Sequence, residues 1–171
     1  MVLNFHHTLR HSLQRINFTK KHYKFAVHDQ KEPRQAHNSD EIIPLYGNAK
    51  WAVVDILNEQ YSHLLISPID LYNWLHYNEN DEVSYFLNEA GSNALSHSQF
   101  KVPAKFHLWQ GTKGFVIAIE QKGKGFNAKE VDQKRIKDNE GAAFNFFRKC
   151  KNKIFFDEPE DARVVYMEFL F

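Results

Sequence analysis

Residues 105–126 read KFHLWQGTKGFVIAIEQKGKGF. Two runs rich in β-branched and aromatic residues, Lys105 to Gln110 and Gly114 to Glu120, flank Gly111-Thr112-Lys113. A short glycine-bearing turn between such runs predicts an antiparallel hairpin. The second run leads into Gly123-Lys124-Gly125-Phe126. Glycines there permit backbone conformations and close approaches that a side chain would block. A plain turn and a ligand-binding turn both fit this pattern.

Upstream, Asn78 to Asp81 is a polar turn and a helix is predicted over about 81–96. Val83, Phe86, Leu87, Ala90 and Ala94 fall on one face of it. Glu89 and Asn93 lie one turn apart, so their side chains emerge side by side. At 3.6 residues per turn they point roughly 80 to 100 degrees from the centre of the apolar face. That is the margin between core and solvent, where a pocket wall would be. An Asn oxygen is a suitable ligand for Mg²⁺, which prefers oxygens and keeps several waters. A nearby carboxylate can orient or deprotonate an attacking hydroxyl. Ordinary solvated helix residues would show the same spacing.

Downstream, the polar stretch Asn127 to Glu140 connects to a helix predicted from Ala142 to Lys151, opened by Gly141. A helix start after glycine offers unpaired N–H groups to phosphate oxygens. Lys153 to Asp157, a turn at Glu158-Pro159-Glu160-Asp161, and Ala162 to Phe171 read as a terminal hairpin. On the N-terminal side, Trp51, Val54, Ile56, Leu57, Tyr61 and Leu64 give Asn48 to Leu64 a helical pattern. Ser67 and Pro68 then suit the N-cap and first position of a short helix over residues 69–75.

The first 28 residues contain no Asp or Glu, but carry Arg10, Arg15, Lys20, Lys21, Lys24 and five histidines. Leu9, Leu13 and Ile16 can share a helical face, and Tyr23 to Val27 can add a strand. The polar segment 29–41, with Pro33, reads as a linker. Residues 1–39 are therefore expected to be a basic, His-rich extension or peripheral segment, and 40–171 the domain. His6, His7, His11, His22, His28 and His37 lack carboxylate or cysteine partners at a metal-ligand spacing. Helices followed by hairpins, without strict β-α alternation, predict an α+β fold: a two-layer sandwich whose mixed, mainly antiparallel sheet is covered on one face by helices.

At 171 residues and 43% hydrophobic composition, the chain can bury a real core as one domain. A net charge of +1 gives no global case for nucleic acid or an acidic membrane surface. The lone Cys150 excludes an internal disulfide and, within an apolar helical pattern, reads as a buried thiol. No apolar run approaches the ~20 residues of a membrane-spanning helix. The expected location is cytoplasmic.

The order of these motifs resembles the GHKL superfamily of ATP-binding domains, which includes histidine-kinase catalytic domains, anti-sigma-factor serine kinases and gyrase-type ATPase modules. The small anti-sigma kinase type is similar in size, and the resemblance covers about residues 80–171. The segment Glu89-Ala90-Gly91-Ser92-Asn93-Ala94-Leu95-Ser96-His97 looks like the N box. The resemblance implies that Asn93 binds Mg²⁺, that Glu89 acts as or positions the catalytic base, and that His97 lies near the phosphates. Ile119 to Phe126 looks like the strand and first glycine box, with Gln121, Gly123 and Gly125 at the nucleotide. The stretch to Glu140 would be a short ATP lid, and Gly141 a remnant of the second glycine box. The implied cofactors are ATP and Mg²⁺, and the implied partner is a regulatory protein.

Three positions depart from the family pattern. Gln121 stands where an Asp normally binds the adenine amino group. A neutral hydrogen bond is roughly half as strong as a charge-assisted one, so weaker adenine binding is expected. Ser96 replaces a basic residue, and Ala143 replaces a glycine. Two functions remain open on these residues: a protein kinase acting on a regulatory partner, or a non-catalytic module of the same fold that works by protein–protein contact.

Overall fold

The computed structural model describes residues 3–27, 42–72, 79–90, 93, 95, 105–138 and 142–171. Helix α1 (Leu9–Arg15) leads into strand β1 (Phe18–Ala26), then helix α2 (Ile42–Gln60) and helix α3 (Glu79–Tyr85). A π-helical turn, Phe86–Ala90, continues α3. Strands β2 (Lys105–Gly111) and β3 (Gly114–Glu120) form the predicted hairpin. Helices α4 (Ala128–Asp138) and α5 (Ala142–Lys149) follow, and β4 (Lys153–Phe156) and β5 (Val164–Leu170) close the chain.

Among the described residues, five strands lie in the order β1-β2-β3-β5-β4, paired antiparallel, and an isolated parallel bridge joins Leu3 to Ile154. Strand alternation separates two faces. Phe106, Leu108, Phe115, Ile117, Ile119, Phe156, Val165, Met167 and Phe169 join the larger core, with Val53 and Leu57 of α2, Phe86 and Leu87 of the π turn, and Phe147 of α5. Trp109, Val116, Ala118, Phe155 and Tyr166 point the other way and pack with Ile16, Leu9 and Leu13 at α1. The chain is thus the expected α+β sandwich, and α1 covers part of the second face. Strand β3 reads Phe-Val-Ile-Ala-Ile without alternation because both of its faces are buried.

Several elements differ from the sequence expectation. Within 1–39, read as an extension or peripheral segment, the strand expected over Tyr23 to Val27 is present but begins earlier, as edge strand β1, paired with β2 from Phe18 opposite Gly111 to Ala26 opposite Lys105. Its register shifts between Phe18 and Lys21, where Lys20 adopts a left-handed conformation (φ 66°). No helix begins at Ser67. The Asn58 side chain clamps both backbone groups of Ile69, accepting from its N–H at 2.8 Å and donating to its carbonyl at 2.9 Å. Those bonds hold Ile69 outside helical pairing, and the Asp70 carboxylate accepts from the Tyr72 N–H at 2.9 Å to shape a turn. The rest of the predicted segment, 73–75, lies outside the described residues. The polar stretch after Asn127, expected to be a connection, is helix α4. Asn127 caps it by accepting from the Glu130 N–H at 3.2 Å, while Ala128 is buried and Val131 packs on the core.

Candidate functional site

Glu89 sits in the π turn, half-buried, rather than on a regular α-helix. Side chains of α2 and a backbone carbonyl after it hold this turn. Tyr46 Oη donates to the Leu87 carbonyl at 3.0 Å. Asn88 Nδ2 donates to the Leu71 carbonyl at 2.6 Å, and Asn88 Oδ1 accepts from Lys50 Nζ at 2.8 Å. The same ammonium lies 4.3 Å from the centroid of the Tyr46 ring, within cation–π range. Burial pushes the Lys50 amine below its ordinary range, while the Glu89 carboxylate pulls it back up. Glu89 also helps burial to raise the Tyr85 hydroxyl. The π turn therefore carries a carboxylate facing the field of one partly desolvated lysine.

Asn93 is helical and exposed, and Leu95 is fully buried. His97 and Gly141 lie outside the described residues. Lys50 and Asn88 were not singled out from sequence. A lysine between Ala49 and Trp51 has no local signature for this role, because its hydrogen-bond partner Asn88 is 38 residues away.

The glycine turn follows β3. Gln121 is 3% exposed and its N–H donates to the Arg163 carbonyl at 2.9 Å. Gly123 has φ 87°, a left-handed conformation that L side chains rarely adopt. Gly125 is glycine for another reason: an added Cβ would strike the Asp161 side chain and backbone. Phe126 and Ala162 exchange backbone bonds of 3.1 and 2.7 Å, and the Phe126 ring meets Phe156 edge-on at 6.0 Å. The close approach that Gly125 permits is thus to the β4–β5 turn. The Ala143 methyl is buried, and Phe144 stacks on Phe156 at 6.1 Å.

A cavity of about 440 Å³ opens at this end of the sheet, lined by Lys105, Glu120, Gln121, Lys122, Gly123, Asp157, Arg163 and Val164. It brings Gln121 and Gly123 together, and Glu89 and Asn93 do not line it. Behind it stands a chain of polar contacts on the outer sheet face. Glu120 Oε2 is 2.7 Å from His107 Nε2, and His107 Nδ1 is 2.9 Å from His22 Nε2. With His107 donating to the carboxylate, its Nδ1 accepts from His22. The His107 bond, opposed by burial, holds Glu120 below the usual carboxylate range. His22 stacks on Trp109 at 4.3 Å, and burial, aided by His107 and Lys24, lowers its pKa to about 4.

An amide oxygen and a carboxylate, the side-chain types of Asn93 and Glu89, are hard oxygen donors of the kind Mg²⁺ accepts. Compared with protein families and with curated proteins, the chain matches no family model and no curated protein.

Proposed function

We propose that the chain is an ATP-binding domain of the histidine-kinase-like, anti-sigma kinase type, acting on a regulatory protein partner. One observation supports this most: the order in space and sequence of the π turn with Glu89, the β2–β3 hairpin, the left-handed Gly123 turn, helices α4 and α5, and the closing antiparallel strands. π turns inside helices are frequent at functional sites, which adds weight to Glu89. In this reading Asn93 holds Mg²⁺ and Glu89 orients or deprotonates the acceptor hydroxyl, with Gln121, Gly123 and Gly125 on the nucleotide side. Bound Mg-ATP would supply the transferable phosphoryl group. His97 and Gly141 keep the roles near the phosphates that the resemblance implies.

A transfer assay with labelled ATP tests the activity. Incorporation into a protein acceptor that disappears in Glu89→Gln supports it, and incorporation unchanged in that variant contradicts it.

A second reading, a non-catalytic module holding a protein partner, is favoured by one specific observation. The space beside Gly125 is taken by Asp161, and Phe126 is packed on Phe156, so the glycine turn serves the fold. Glu89-dependent transfer would refute this second reading.

A further inference from the structure

The cavity of about 440 Å³ at the end of the sheet collects three cations from three separate segments: Lys105 at the start of β2, Lys122 after β3, and Arg163 before β5. Two carboxylates share the lining, and both are engaged internally. Glu120 Oε2 accepts from His107 Nε2 at 2.7 Å. Asp157 Oδ1 accepts from the backbone N–H groups of Arg163 at 3.1 Å and Val164 at 3.0 Å. The cations are committed far less. Neither Lys105 nor Lys122 has a carboxylate within ion-pair distance among the described residues. Arg163 Nη2 is 3.8 Å from Asp161 Oδ2, both about half exposed, a pairing that contributes little.

We propose that this cavity binds a small phosphate monoester, with Lys105, Lys122 and Arg163 holding the phosphoryl oxygens. The guanidinium fork matches two oxygens of a phosphoryl group at once, and the two ammonium groups add point charges. The volume exceeds what a bare phosphate needs, so a short organic substituent fits beside the anion. Glu120, backed by His107 and His22, faces the same space and accepts from a hydroxyl on that substituent. The cavity shares Gln121 and Gly123 with the proposed nucleotide site but not Glu89 or Asn93, so Asn93→Ala separates the two.

Calorimetric titration of the full chain with glycerol 3-phosphate, at constant ionic strength, tests this. Saturable binding at one site is expected, with inorganic phosphate competing and glycerol giving no heat. Lys122→Ala and Arg163→Ala change exposed side chains, so the fold is kept. Each should weaken binding about tenfold or more, the loss of a hydrogen bond to a charged group. Asn93→Ala should leave it unchanged. Absence of saturable binding, binding untouched by both cavity variants, or loss in Asn93→Ala alone would each overturn the assignment.

Discussion

Glu168 on β5 is a carboxylate whose side chain is only 1% exposed, and its partners explain how it is tolerated. Ser12 Oγ donates to it at 2.5 Å, Arg15 Nε at 2.9 Å, and His7 Nε2 lies 3.2 Å away. His7 Nε2 is also 2.7 Å from Ser12 Oγ. A serine–histidine–acid relay needs its two partners on different ring nitrogens. Here both meet Nε2, so the cluster is a clamp fixing α1 to the sheet. Ser12→Ala removes a donor from a buried carboxylate and should cost about 1–3 kcal/mol in urea unfolding; no measurable loss would refute the clamp. At the glycine turn, Gly123→Ala should cost about 1–2 kcal/mol by the same measurement, the penalty of left-handed backbone for an L residue. The need for glycine at 123 and 125 was legible in the sequence. That Gly125 makes room for Asp161 was not, because that contact spans 36 residues of chain.

Among the elements, the hairpin β2–β3, the closing β4–β5 pair and the core helices were readable from local pattern. β1 and α4 were less so. β1 reads FTKKHYKFA, three lysines among mostly exposed positions without a clean alternation, and its pairing is made against β2. α4 has a largely charged sequence, and its helix is secured by contacts at long range. Arg148 of α5 donates to Asp132 of α4 at 2.6 Å and to Asn145 at 2.9 Å. Lys129 pairs with Glu160 at 3.1 Å, and the Ala128 N–H donates to the Pro159 carbonyl at 2.7 Å. Burial raises the Asp132 carboxyl while Arg148 draws it down. Arg148→Ala leaves that buried carboxylate short of its partner, and should speed hydrogen exchange across α4 while sparing β3. Equal protection of α4 in both proteins would show that the ion pair does not hold the helix. Glu82 makes a similar tie, its carboxylate accepting from the Lys151 N–H at 2.5 Å to join α3 to the chain entering β4.

For the whole molecule, acid stability and ligand binding are the properties to measure. His22 has a folded pKa of about 4 against an ordinary 6.5, so the unfolded chain takes up this proton first as pH falls. Its contribution is present above pH 6.5 and is lost between 6.5 and about 4. His7, lowered by burial and by Lys153 against the pull of Glu168, acts in the same direction. The unfolding midpoint should therefore fall more steeply over this range in the wild type than in His22→Asn, and parallel curves would contradict the sign. The fold class was legible from the order of patterns along the chain. The candidate site was legible only as spacing, since Lys50, Asn88 and the cation-lined cavity depend on contacts between distant segments. The most direct test of the account is calorimetric titration of ATP into the wild type and Asn93→Ala, with Mg²⁺ and with a chelator. The account predicts saturable, Mg²⁺-dependent binding that Asn93→Ala abolishes. Absence of binding, or equal binding in the two proteins, would contradict it.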